Sequence, residues 1–362
     1  MPTFVFYLLT LAVFGAIYGT LAMGLNIQWG YTGILDFMYI AFVAVGGYVT
    51  SLLMMPPAQP GSGFQYVLGL NWPFIPALLV GGLAAALVAL VVGLLTMNRL
   101  RSDYFAIVTV AVSLVLYTIA GNATPLVNGW DGISAVPQPF QDALNLDYNS
   151  YQFFFLGMCL VILIIVYIFS ERLYHSPFGR ALRSVREDEM VAQGLGKNVF
   201  TLRLKAFVIG AFIAGIGGSM LVIYVDAFNP SAWTTGETFF LWAALLLGGS
   251  ANNRGAMLGA LIVPVLFAEI TRFIPAFGSP QLVDAFRYIA IGVLLILTVR
   301  FRPQGILAEK RFRVGKRKLQ QIEPTLASAS PGVHITDADL ADDPGTLPDA
   351  ATPLEDQEGK TI

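Results

Sequence analysis

The sequence predicts an all-α polytopic membrane protein, a bundle of about nine (8–10) transmembrane helices. Three observations carry this reading. Of 362 residues, 56% are hydrophobic and only 12% are charged, against roughly 25% charged in soluble domains. A helix crosses the hydrocarbon core in about 20 apolar residues, and runs of that length recur from Leu8 to Val299. The Lys and Arg residues cluster between the runs rather than within them, as expected where a charge at membrane depth is costly.

Taken in order, the apolar segments place helices near 3–27, 32–55, 74–98, 104–121, 151–171, 203–226, 236–250, 255–275 and 284–301. The first lacks a positive n-region and a small-residue cleavage site, so it is expected to be a retained helix. Residues 24–37 are polar and glycine-bearing for membrane depth and 236–250 is short, so either could be a broken or re-entrant piece. The single cysteine, Cys159, lies in an apolar run, which excludes an intrachain disulfide and a thiolate metal site.

Basic residues set the expected orientation. Arg99 and Arg101 follow the third segment, seven Lys and Arg lie between Arg172 and Lys205, Arg254 follows the seventh segment, and Arg300 to Lys318 follow the last. With nine spans all four clusters fall on one side, which places them with the C-terminus in the cytoplasm and the N-terminus outside. The outer loops, 56–73 and 122–150, hold almost no Lys or Arg. The expected division is a transmembrane domain over 1–308, including a cytoplasmic loop at 175–205, and a disordered tail over 309–362. That tail begins with a basic stretch, Lys310 to Lys318, and continues with Asp and Glu. The stretch suits anionic lipid, while the net charge of −2 argues against a nucleic-acid partner.

Two constellations could carry function. The loop HSPFGRALRSVREDEMVAQGLGKNVFTLRLKAF, His175 to Phe207, is too long for a tight turn. Ala181, Val185, Val191 and Leu195 suggest a short amphipathic helix, with Gly194 and Gly196 ending it. Such a helix could seat in a partner's groove, or the loop could be an ordinary one whose cations serve topology alone. The second constellation is Asn26, Tyr31, Thr32 and Asp36 in the interrupted stretch GLNIQWGYTGILDF. These residues could line an aqueous path, or cap helix ends. Glu269 and Arg272, spaced i, i+3, are expected to form an ion pair. Gly210, Gly215, Gly217, Gly218, Gly248, Gly249, Gly255 and Gly259 are expected to allow close helix packing.

Catalysis by the chain alone is excluded by its inventory. The two histidines, His175 and His334, lie in the loop and the tail, and no HExxH, GxSxG or Cys/His cluster occurs. The string QGLGKN lacks the first glycine and the hydroxyl of a phosphate loop, having Val191 and Asn198 there.

The loop closely resembles the cytoplasmic loop of permease subunits in the branched-chain amino acid ABC importers, the LivM type, whose pattern runs like FGRALRAIREDEIAAEALGIN. The stretches GLNIQWGYTGILDFMYIAFVAVGGY, RLRSDYFAIVTVA, LKAFVIGAFIAGIGGSML, LLLGGSANNRGAMLGALI and RFRPQGIL extend the resemblance over roughly 5–308. It implies a type II ABC importer permease-like bundle and a non-enzymatic transport subunit. It also implies four kinds of partner: a second, homologous LivH-type permease, two ATP-binding subunits, a periplasmic substrate-binding protein, and the lipid of the inner membrane. No cofactor would be bound by this chain, and ATP would be used by the partner ATPase. The loop would be the coupling helix, with Gly179, Arg180, Arg183, Arg186, Glu187, Asp188, Glu189, Gly194 and Gly196 matching the ATPase-docking pattern. Where the family commonly has Ala-Ala-Glu-Ala, this chain has Met190, Val191, Ala192 and Gln193. Branched-chain amino acids are the expected cargo. Relatives serving urea or short-chain amides keep those substrates open, and an ion-coupled secondary transporter is a further alternative that has no need of a motor-docking loop.

Overall fold

The computed structural model describes residues 3–57, 66–141, 144–267, 280–302 and 304–309. By contact clustering the chain divides into Met1–Lys310 and Arg311–Ile362, and the described residues all fall in the first unit. The Glu269 and Arg272 pair and the basic and acidic tail lie outside the described residues.

The described unit is mostly helical. Its long elements are α1 (Thr3–Leu25), α2 (Tyr39–Met54), α3 (Phe74–Thr96), α4 (Ser102–Asn122), α6 (Tyr148–His175) and α9 (Val199–Val225). The shorter ones are α5 (Thr124–Val127), α7 (Pro177–Glu187), α8 (Glu189–Gly194), α10 (Thr235–Gly248) and α11 (Asn253–Ala260). A final helix, α12, covers Pro280–Phe301. Among the described residues, five helical stretches are long and apolar enough to cross a membrane, namely α1 with its continuation to Gly30, α3, α4, α6 and α9. Shorter apolar helices cover Tyr39–Met54, Asn253–Phe267 and Tyr288–Phe301. The second segment differs from the expectation of 32–55, because α2 begins only at Tyr39. Residues 33–38 are non-helical, so the expected break is real and shortens the helix behind it.

The middle of the bundle is α9. Of its apolar stretch 78% is buried, against 28% for α4 and α6, and it packs on α1, α2 and α3. Its glycines explain how. A Cβ on Gly46 of α2 would collide with the Gly215 backbone of α9, and one on Gly218 with the Val43 carbonyl. Small residues let the backbones approach, which is how helices associate where lipid removes the hydrophobic drive between them. The Thr50 and Ser219 hydroxyls lie 2.6 Å apart at this crossing. The Thr50 hydroxyl also reaches the Ala77 carbonyl of α3 at 3.2 Å. Cys159 of α6 is buried in the same core. A second close pair ties α10 to α11, where a Cβ on Gly259 would strike the Ala244 carbonyl.

At the end of the bundle formed by the C-terminus of α9, two short strands pair antiparallel: Ile133–Ser134 (β1) with Ala227–Phe228 (β2). Tyr48 of α2 closes over them, its ring 4.9 Å from Phe228 and 6.2 Å from Trp233. The opposite end holds α7, α8 and residues 304–309.

Overpacking a core contact of this kind costs about 1–3 kcal/mol. Gly215→Leu is therefore expected to lower the detergent-solubilised unfolding temperature measurably. Gly157→Ala, at an exposed helical glycine with nothing within 4 Å of its added Cβ, does not lower it. Thermal unfolding followed by size-exclusion chromatography checks both.

Candidate functional site: the docking loop and the interrupted segment behind α1

The loop folds as two helices rather than one. Ser176 caps α7 by accepting from Gly179 N at 3.0 Å, with Pro177 opening the first turn. Asp188 adopts an extended backbone, ends α7, and caps α8 by accepting from Met190 N at 2.8 Å and Val191 N at 2.9 Å. The single amphipathic helix expected from Ala181 to Leu195 is thus broken at Asp188, and its apolar residues face two ways. Leu182 and Val185 of α7 and Ala192 of α8 are buried. Met190, Val191 and Leu195 point outward, 82%, 58% and 71% exposed.

The loop residues expected to dock divide in the same manner. Gly179 is buried, and a Cβ there would strike the Leu173 carbonyl. The Arg183 guanidinium lies 4.2 Å from the centroid of the Tyr174 ring and donates to the Tyr174 carbonyl at 3.4 Å. Arg186 turns inward, donating to the Gly30 carbonyl and, at 2.8 Å, to Glu309 Oε2. Glu189 pairs with Arg203 at 3.2 Å. Arg180, Glu187 and Asp188 are exposed, as are Gly194 and Gly196, and Gly196 takes a left-handed φ of 73°.

The inner arm of Arg186 leads to the second constellation. After α1 the chain makes a π-turn, Asn26–Gly30, then loses its helix. Asn26, Tyr31, Thr32 and Asp36 are all buried, at most 3% exposed. The Asn26 side chain accepts from Ala251 N at 2.8 Å and donates to Asn253 Oδ1 at 3.0 Å. The Tyr31 hydroxyl lies 2.5 Å from the same Asn253 oxygen, and its ring packs on Tyr174 at 5.4 Å. Thr32 donates to the Gln28 carbonyl. Asp36 Oδ1 accepts from Met38 N at 2.9 Å, while Oδ2 is buried without a hydrogen-bond partner.

Three participants carry no signal in the sequence reading. Asn253 receives Asn26 and Tyr31 and donates to Glu171 Oε2 at 2.8 Å. Glu309 accepts from Arg186 and, at 3.3 Å, from the Tyr174 hydroxyl. Asn252 caps α11 and donates to the carbonyls of Leu307 at 3.2 Å and Ala308 at 3.0 Å. Residues 306 and 307 bond to Leu247 and Gly248, and the contact is tight enough that a Cβ on Gly305 would collide with Gly249. The doubled Asn in GGSANNRGA was the available clue. Among the described residues no group of three His, Cys, Asp or Glu is arranged to hold a metal.

Deleting Asn253 leaves the buried Asn26 amide without its acceptor, while the Tyr31 hydroxyl keeps the Ser170 carbonyl at 3.3 Å. Asn253→Ala is expected to destabilise by about 1–3 kcal/mol. Glu189→Ala, which removes a pair whose carboxylate is 45% exposed, is expected to cost under about 1 kcal/mol. Unfolding in detergent ranks the two.

The family model described as the branched-chain amino acid transport system permease component matches residues 7–299. The probable branched-chain amino acid transport permease protein LivM of Methanocaldococcus jannaschii is 31% identical over 322 residues, covering 81% of this chain and 91% of that one. The high-affinity branched-chain amino acid transport system permease protein LivM of Escherichia coli is 29% identical over 321 residues, 83% of this chain and 70% of that one. The probable LivH permease of M. jannaschii is 26% identical over 292 residues, 79% of this chain and 87% of that one. No solved structure gives a significant match. These relatives are transport permeases and not enzymes, and the apolar helices described above make this chain a multi-pass membrane protein. The chain therefore belongs to the family of branched-chain amino acid transport system permease components.

Proposed function

We propose that this chain is the LivM-type permease subunit of an ATP-driven importer of branched-chain amino acids in the inner (plasma) membrane. It forms a type II importer bundle of about nine (8–10) spans, with the N-terminus outside and the C-terminus and the α7–α8 loop in the cytoplasm. A LivH-type permease is its partner in the membrane, since similarity extends to both kinds of subunit. Two ATP-binding subunits supply the energy and a periplasmic binding protein the substrate, while this chain binds no cofactor. The path for a zwitterion with an apolar side chain opens where the interrupted segment bearing Asn26, Tyr31, Thr32 and Asp36 parts from its neighbours.

The observation that supports docking is the outward apolar face of α8. Met190, Val191 and Leu195 stand exposed on a loop whose other apolar residues Leu182, Val185 and Ala192 are buried, where burial in a partner's groove would recover their hydration cost. Burying a side chain such as Met or Leu is worth about 1.5–3 kcal/mol. The double variant Met190→Ser, Leu195→Ser is therefore expected to weaken retention of the ATP-binding subunits by about a hundredfold or more, with the permease still inserted. Co-purification from membranes measures this, and full retention of those subunits would overturn the docking reading. In vesicles carrying the whole importer, leucine is expected to accumulate only with ATP and to outcompete urea and acetamide. Accumulation by this chain without ATP would instead establish the ion-coupled alternative.

A further inference from the structure

We propose that Arg186 and Glu309 are positioning residues that transmit movement of the docking loop to the interrupted segment behind α1. This rests on the docking reading above. The resemblance assigns Arg186 to the surface that meets the ATPase, but its guanidinium points the other way. One arm donates to the Gly30 carbonyl, the last residue of the π-turn, and the other to Glu309 at 2.8 Å. The pair is only 24% and 27% exposed, so it is screened less than a surface ion pair.

Gly30 sits close against the Asn26 to Ala251 hydrogen bond: a Cβ there would collide with Asn26 Oδ1 and lie 2.5 Å from Ala251 N. Displacing α7 thus pulls on the carbonyl of a residue that adjoins this bond. Glu309 anchors the other arm, since residues 306–308 are bonded to Leu247, Gly248 and Asn252. The Tyr174 hydroxyl bonds the free oxygen of Glu309, and the Tyr174 ring lies between Arg183 and Tyr31. The loop is consequently tied by Arg186 to three things at once: the break after α1, the turn between α10 and α11, and the end of α6. π-turns within helices are frequent at functional sites, and coupling needs an element whose equilibrium both ends bias.

The test uses the assembled importer in vesicles, reading amino acid transported per ATP hydrolysed for Glu309→Gln and Arg186→Lys. The first keeps size and removes charge; the second keeps charge but lacks the planar fork whose two arms reach Gly30 and Glu309. Both are expected to retain the ATP-binding subunits and hydrolyse ATP, while the transport ratio falls by about tenfold, the scale of a typical coupling between sites. A merely structural role would lower transport and hydrolysis together and leave the ratio intact, which would overturn the proposal. So would loss of the ATP-binding subunits from Glu309→Gln, because Glu309 would then belong to the docking contact itself. Failure of the docking reading is separable, since it shows as retention of those subunits by the Met190→Ser, Leu195→Ser variant.

Discussion

A backbone that stops being helical inside a membrane bundle must find every one of its hydrogen bonds elsewhere. Each unmet group costs several kcal/mol where no water can substitute. Between Gly30 and Ile40 this chain meets that demand with groups from almost every neighbour. Gly33 and Ile34 reach back to the Trp29 and Gln28 carbonyls at 2.8 and 3.1 Å. Phe37 N donates to Thr109 of α4 at 3.1 Å, and Ile40 N to Thr238 of α10 at 3.4 Å. Trp242 Nε1 donates to the Asp36 carbonyl at 2.9 Å, and Arg186 to the Gly30 carbonyl. The break pins α4, α7 and α10 to one another because each holds part of the same unravelled strand.

That constraint explains why two of the loop's arginines turn inward. A polar rim around an apolar face is the usual arrangement of a docking helix. Here Arg183 and Arg186 are spent inward, on Tyr174 and on the break, where a donor is worth most. Glu189 is held by Arg203. What remains facing out on α8 is Met190, Val191 and Leu195. Solvated charges add little to affinity, so in the docking proposed above such a surface would bind through area rather than ion pairs.

The helices themselves were legible because hydropathy and length decide them, and so was the interruption, since glycine and polar residues from Gly24 to Asp36 cannot continue a lipid-facing run. The fold of the loop was not. The period of Ala181, Val185, Val191 and Leu195 runs through Asp188 as if the helix were continuous, and only the capping bonds of the Asp188 carboxylate reveal the stop. Nor could spacing show that Asn26 and Asn253, 227 positions apart, share a hydrogen bond. Long-range polar pairing leaves no local pattern, so Asn253 and Glu309 became visible only once the helices were in place. The glycines lay between these cases. Their role in close approach was readable, and their partners were not.

The two kinds of contact also differ in what they permit. Gly46 against Gly215 and Gly259 against Ala244 are backbone approaches with no slack, and close-packed interiors shift between discrete arrangements rather than yielding gradually. The α2, α3 and α9 centre therefore moves as a block or not at all. The polar contacts near the loop end are directional rather than close-packed: Arg186 donates to the Gly30 carbonyl and to Glu309, and Asn253 accepts from Asn26 and Tyr31. In the proposed importer, movement of α8 would reach the break behind α1 through this polar layer.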